Sequence, residues 1–160
     1  MTDSLSAIPE CPDVVEFSRR LLASHRNLVG VPLIESTGDR HRDSRLLFDA
    51  AVVVVAHGIQ PDPILCYGNR AALTLWEMSW EDFTKTPSRL TAEPVAREDR
   101  ERLLREALTQ GFSRDYRGVR ISSTGKRFWI EDVTLWNVLD DNQQRIGQAA
   151  AFAKWTPLSK

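Results

Sequence analysis

Cysteine, histidine and uninterrupted apolar sequence are all scarce in this chain of 160 residues. Two cysteines, Cys11 and Cys66, are too few for a secreted disulfide scaffold or a four-ligand zinc site, so a reducing, cytoplasmic setting is expected. The three histidines, His25, His41 and His57, lack the i, i+4 or cysteine-partnered spacing of a metal site. The longest apolar run, Ala50 to Ala56, has seven residues, whereas a membrane helix needs about 20, and residues 1–12 carry no signal-peptide pattern. No membrane partner is expected. Charge of one sign is missing too: 21 Lys and Arg against 22 Asp and Glu leave a net charge of −1, too little field to draw in nucleic acid. There is no internal repeat, no G-x-S-x-G elbow and no H-E-x-x-H, and Cys66 among apolar neighbours reads as structural. Asp115, Glu131 and Asp132 could supply acid or base, but carboxylates on alternating strand positions are commonly solvated. Enzyme activity is not expected.

What remains, 42% hydrophobic and 27% charged, suits one α+β domain with an ordinary core. Residues 1–12 read as a disordered N-terminus and residues 13–34 as a flanking helix with its connection, Asp13 serving as N-cap. Residues 35–43, with Gly38 among charges, read as an exposed linker before a core over 44–156. In that core, Val52–Val55 suits a central strand, and Gly58, Pro61 and Pro63 turn it into a second strand over 64–67. Asn69 follows as the cap of a helix over 70–76, and Ser79 caps another short turn. Pro94 opens and Gly111 closes a long helix whose apolar stripe is Leu103, Leu104, Ala107 and Leu108. Three antiparallel strands, over 112–121, 127–138 and 145–155, complete the chain, with a bulge expected at Gly118. Strict alternation along the middle strand puts Phe128, Ile130, Trp136 and Val138 on one face and Trp129, Val133 and Leu135 on the other. The second set needs cover, and the stripe Val14, Val15, Phe17, Leu21 and Leu22 is the nearest candidate.

This order of elements resembles a PAS domain. Leu46–Ala51 is similar to the L-L-D-x-A-P entry of such domains, and Ile64–Ala72 to their I-x-Y-x-N-x-A-A step into the first helix. More specifically, Asn69–Met78, Pro87–Pro94, Asp115–Ser122 and Gly147–Ala150 resemble the MEKHLA domain family, over roughly Asp13 to Trp155. The chain looks like the short, stand-alone bacterial kind, without a homeodomain, zipper heptads or the Met-Glu-Lys-His-Leu-Ala peptide itself. The resemblance implies a five-stranded antiparallel sheet of order 2-1-5-4-3, with helices on one face and the N-terminal helix on the other. It implies a sensory or protein-interaction module, and in PAS folds ligands lie between sheet and helices. Trp76, Arg89, Thr91, Tyr116, Trp136 and Gln148 are candidates for such a site, as a wall for a small ring-bearing or carboxylate ligand. The competing reading has Trp76 and Trp136 filling the core while Arg89 and Glu93 pair across a loop. Residues 79–93 hold no cysteine and the long helix no histidine, which argues against a photoreactive flavin adduct and against haem. Flavin-binding PAS domains also carry a glutamine on the last strand, as Gln148 does here. A homodimer through the N-terminal helix and outer sheet face is a further expectation. The alternatives are a small α+β enzyme using the same cleft and a dimerisation domain with a filled core.

Overall fold

Four consecutive valines cannot alternate between core and water, so they demand a strand covered on both faces. In the computed structural model, which describes residues 4–93 and 97–158, the last three of them open β1 (Val53–His57), inside the sheet between β2 (Leu65–Gly68) and β5 (Arg145–Phe152). β4 (Arg127–Leu139) and β3 (Phe112–Ile121) complete the antiparallel order β2-β1-β5-β4-β3. A sixth strand, β6 (Lys154–Pro157), continues β5 along the same partner: Ala151 pairs with Thr134 and Lys154 with Glu131. The sheet thus has six strands by count and five by path.

The faces of β4 differ from strict alternation. Asp115 and Asp132 take left-handed backbone (φ 61° and 52°), and each adds a residue to its own strand, so the register slips once each way around Tyr116. Past Asp132 the parity flips. Phe128, Ile130, Val133 and Leu135 therefore share the inner face, while Trp136 and Val138 turn outward. The expected bulge lies beside Gly118, but the glycine serves another end: a Cβ there would come within 2.8 Å of the Tyr116 hydroxyl.

The N-terminal helix α1 (Pro12–Val29) starts at Pro12 rather than after an Asp13 cap, and it covers the outer face. Leu21 and Val29 join Val54, Ala56, Tyr67, Trp136 and Val138 in one buried cluster. The Trp136 indole N–H donates to the Leu21 carbonyl (3.2 Å), the Leu139 amide to Ser24 Oγ (2.8 Å) and Arg114 to the Val29 carbonyl (2.9 Å). Residues 4–12, read as disordered, instead contain a 3-10 helix, Ser4–Glu10, with Ile8 buried in the inner core. The expected linker over 35–43 is likewise ordered: Asp39 caps α2 (Arg40–Phe48), and buried Asp43 accepts from Ser36 and Thr37. Hydrogen bonds and the nearby Arg42 hold the Asp43 carboxyl below its usual range against the opposing effect of burial.

On the inner face lie α3 (Arg70–Trp76), α4 (Trp80–Phe83), a 3-10 turn (Ser88–Thr91) and α5 (Arg97–Thr109), the longest helix of the core. The proposed start of α5 at Pro94 lies outside the described residues. Only part of its stripe faces the sheet: Leu103 packs on the core, whereas Leu104 and Leu108 are 60% and 86% exposed. No helix among the described residues is long and apolar enough to cross a membrane.

Candidate functional site

Asn69 holds the first wall of the site. Its Oδ1 accepts from the Ala72 amide (3.2 Å), capping α3, and from the Val54 amide of β1 (3.1 Å). Its Nδ2 donates to the carbonyls of Val52 (2.7 Å) and Leu47 (3.2 Å). One fully buried amide thereby ties α3 to β1 and to the end of α2. The far end of α3 is fixed by Glu77, at φ 57°, whose carboxylate accepts from Ser122 and Thr124 in the β3–β4 turn. Those hydrogen bonds hold its carboxyl below the usual range.

Trp76, placed by these two anchors, is buried with its indole N–H donating to the Thr91 carbonyl (3.2 Å). It packs edge-on against Phe83, Phe128 and Phe152. Between this aromatic wall and the inner sheet face lies a cavity of about 180 Å³. Its walls are chiefly apolar: Leu65, Phe83, Ile130, Leu135 and Phe152. Its polar groups are few. Gln148 on β5 sits between His57 of β1 and Asn137 of β4 in cross-strand register, and among the described residues its side-chain amide has no hydrogen-bond partner. His57 bonds through Nδ1 to the Gly58 carbonyl (2.8 Å). Arg120 lies over the Tyr116 ring, 5.3 Å from its centroid, and donates to the Tyr116 hydroxyl (3.4 Å) and the Val119 carbonyl (3.2 Å).

Four of the six residues named from sequence, Trp76, Thr91, Tyr116 and Gln148, line this cavity. Arg89 and Trp136 do not. Arg89 points to solvent and pairs with Asp62 (3.1 Å), while Glu93 pairs with Arg127 (2.6 Å), so the expected Arg89–Glu93 pair is absent. Trp136 stands on the opposite face because of the parity change at Asp132. Sequence reasoning missed His57 and Arg120; the first could have been found from its alternation with Val55 on β1, both facing inward.

A larger open groove, of about 690 Å³, runs between α3 and β6 past the half-exposed Trp155. Its charges are spent on one another: Arg70 pairs with Asp49 (2.9 Å) and Lys126 with Glu77 (3.4 Å). Burial pushes the Cys66 thiol up to about 11, which keeps it protonated at neutral pH. Among the described residues, no His, Cys, Asp and Glu side chains gather as a metal-binding group.

Several solved structures share this architecture. A PAS domain from Colwellia psychrerythraea is 16% identical, with a TM-score of 0.58, the match covering 73% of this chain and 94% of that one. A structure titled as an RNA-binding light-oxygen-voltage receptor is 21% identical at a TM-score of 0.60, covering 76% of this chain and 36% of that one. A light-oxygen-voltage domain studied with a flavin analogue is 15% identical at 0.50, covering 68% and 78%. No curated protein matches the chain. The MEKHLA domain profile matches residues 15–157, from the first turns of α1 to the end of β6. The chain thus belongs to the MEKHLA domain family, built on a PAS-like fold.

Proposed function

We propose that the protein is a sensory module that takes up a small molecule in the cavity between the inner sheet face and the helices. The observation that carries this reading is the Gln148 amide: a strong donor and acceptor facing an apolar cavity, without a protein partner among the described residues. A domain built only to dimerise has no use for such a group, and a filled core would have replaced it with an apolar side chain. Gln148 also sits on the strand whose next residue, Ala149, packs in the outer cluster with α1, so a ligand that shifts β5 is felt on the other side of the sheet. Such a ligand biases the domain only by the difference in its affinity for the two arrangements.

Native mass spectrometry of the purified chain, beside an Ala150→Leu variant that fills the cavity from β5, tests the proposal. The expected result is a small-molecule adduct on the native protein that is lost from the variant. An adduct equally abundant on both would place binding elsewhere. A native protein that carries no adduct, and gains no thermal stability from a panel of small metabolites, would overturn the proposal.

A further inference from the structure

Resting on that reading, we propose that the ligand is a small monocarboxylate with a body no larger than one ring or a short chain, and that Arg120 is its anchor. The size argument comes first. Drug-sized ligands occupy pockets of roughly 300–1,000 Å³, whereas a cavity of about 150 Å³ is filled by benzene. At about 180 Å³ this cavity takes one ring with a substituent, and a fused tricycle enters only if the walls move apart. Trp76, Phe83, Ile130 and Phe152 make those walls, so the body of the ligand is apolar.

The charge argument rests on Arg120. It is the one Lys, Arg, Asp or Glu side chain among the lining residues, it is half-buried, and among the described residues no carboxylate pairs with it. Three other arginines of this part of the fold have carboxylate partners: Arg89 has Asp62, Arg102 has Glu106 and Arg127 has Glu93. A guanidinium cannot shed its proton to escape the cost of partial burial, so an anion brought into the cavity gains by pairing with it. One Nη1 is used on the Tyr116 hydroxyl and the Val119 carbonyl, and Nε and Nη2 have no partner among the described residues, the arrangement a bidentate carboxylate needs. Because the Tyr116 hydroxyl accepts from Arg120, its own proton is available to the same carboxylate. Gly118 keeps this pair in place, since any Cβ there would press on the Tyr116 hydroxyl. One cation and one hydroxyl match a single negative charge, and a phosphate dianion would leave charge uncompensated beside the aromatic wall. Gln148 provides for a second polar atom on the ligand, such as a ring hydroxyl.

The test uses matched pairs on the full chain: benzoate, 4-hydroxybenzoate, phenylacetate and hexanoate, each against its neutral amide, titrated by calorimetry into the native protein and an Arg120→Gln variant. At least one acid is expected to bind saturably and its amide about 10- to 100-fold more weakly, the span of a charge-assisted hydrogen bond. Arg120→Gln should remove the acid's advantage by the same factor while leaving the amide's affinity unchanged. Amides binding as tightly as acids, or a variant that keeps the acid's affinity, would sink the carboxylate assignment and leave the cavity reading standing. If no compound binds either protein, the assignment falls as well, and the adduct comparison with Ala150→Leu decides separately whether the cavity is a ligand site at all.

Discussion

Single residues hold this fold at points where no substitute has the right shape. Asn69 makes four hydrogen bonds from a fully buried position, and Asn69→Ala removes the cap and leaves two amides and two carbonyls without that partner. A lost cap costs about 0.5–2 kcal/mol and each stranded buried group about 1–3 kcal/mol. Chemical denaturation should therefore show a loss of about 3 kcal/mol or more; a loss below about 1 kcal/mol would mean the site relaxes or admits water. Gly147 is a second such point, since a Cβ there would lie 2.4 Å from the His57 carbonyl, an immovable backbone atom. Gly147→Ala is expected to cost about 1–3 kcal/mol, the ordinary range for overpacking, and an unchanged denaturation midpoint would contradict the close approach of β1 and β5. The Asn before a helical pattern made the cap of α3 legible in the sequence. Its bonds to β1 and α2 were not, because they join residues 15 to 22 positions apart that only the fold brings together. Arg120 was illegible for the same reason: an arginine on a strand looks solvated until the fold shows it lying over the Tyr116 ring and lining the cavity.

Among the elements, β4 and α1 together decide what each face of the sheet does. The strand's length and middle position followed from its apolar pattern, but its faces did not, because a bulge at an aspartate leaves no mark in a string of alternating residues. Hence Trp136 seemed a cavity residue and lies instead under α1, its ring edge-on to His25 at 4.7 Å between centroids. His25 is buried in this seam, with Nδ1 2.9 Å from the Val31 carbonyl and the Arg114 charge acting on it. Burial, aided by Arg114 and opposed by the Val31 bond, lowers its pKa from the ordinary 6.5, so the folded chain binds that proton less tightly than the unfolded one. The contribution of neutral His25 is complete above about pH 7 and declines as the pH falls through the unfolded value near 6.5. The shifted carboxylates, Asp43 and Glu77 among them, lie below their usual range and lose their stabilisation only at lower pH. Denaturation at pH 7.5 and 5.5 should show stability falling with acid in the native protein and a flatter profile in His25→Gln. Equal slopes would mean that His25 does not stay neutral in the seam. The same seam predicts that a chain lacking residues 1–34 aggregates, because Val54, Tyr67, Trp136 and Val138 lose their cover. Light scattering of a soluble, equally stable truncated chain would refute it.

For the whole molecule, the two faces of one sheet carry separate duties. The outer face is covered by the chain's own N-terminal helix, which places Leu21 and Val29 in the buried cluster with Val54, Tyr67, Trp136 and Val138. The inner face keeps a small aromatic cavity in which, among the described residues, the Gln148 amide has no hydrogen-bond partner and Arg120 pairs with no carboxylate. The family and sheet order were readable because motif spacing and turn residues survive in the linear sequence, whereas a cavity is set by the packing left between elements. Two tryptophans report on the two faces independently, since the Trp76 indole N–H bonds to Thr91 beside the cavity and that of Trp136 bonds to Leu21 under α1. Two-dimensional nitrogen–proton spectra of labelled protein, recorded as the tightest-binding carboxylate of the matched pairs is added, test the central claim most directly. The Trp76 indole and Gln148 side-chain amide signals should shift saturably with one dissociation constant while the Trp155 signal stays in place. Shifts confined to Trp155, in the groove between α3 and β6, or to Trp136 with Trp76 unmoved, would contradict it.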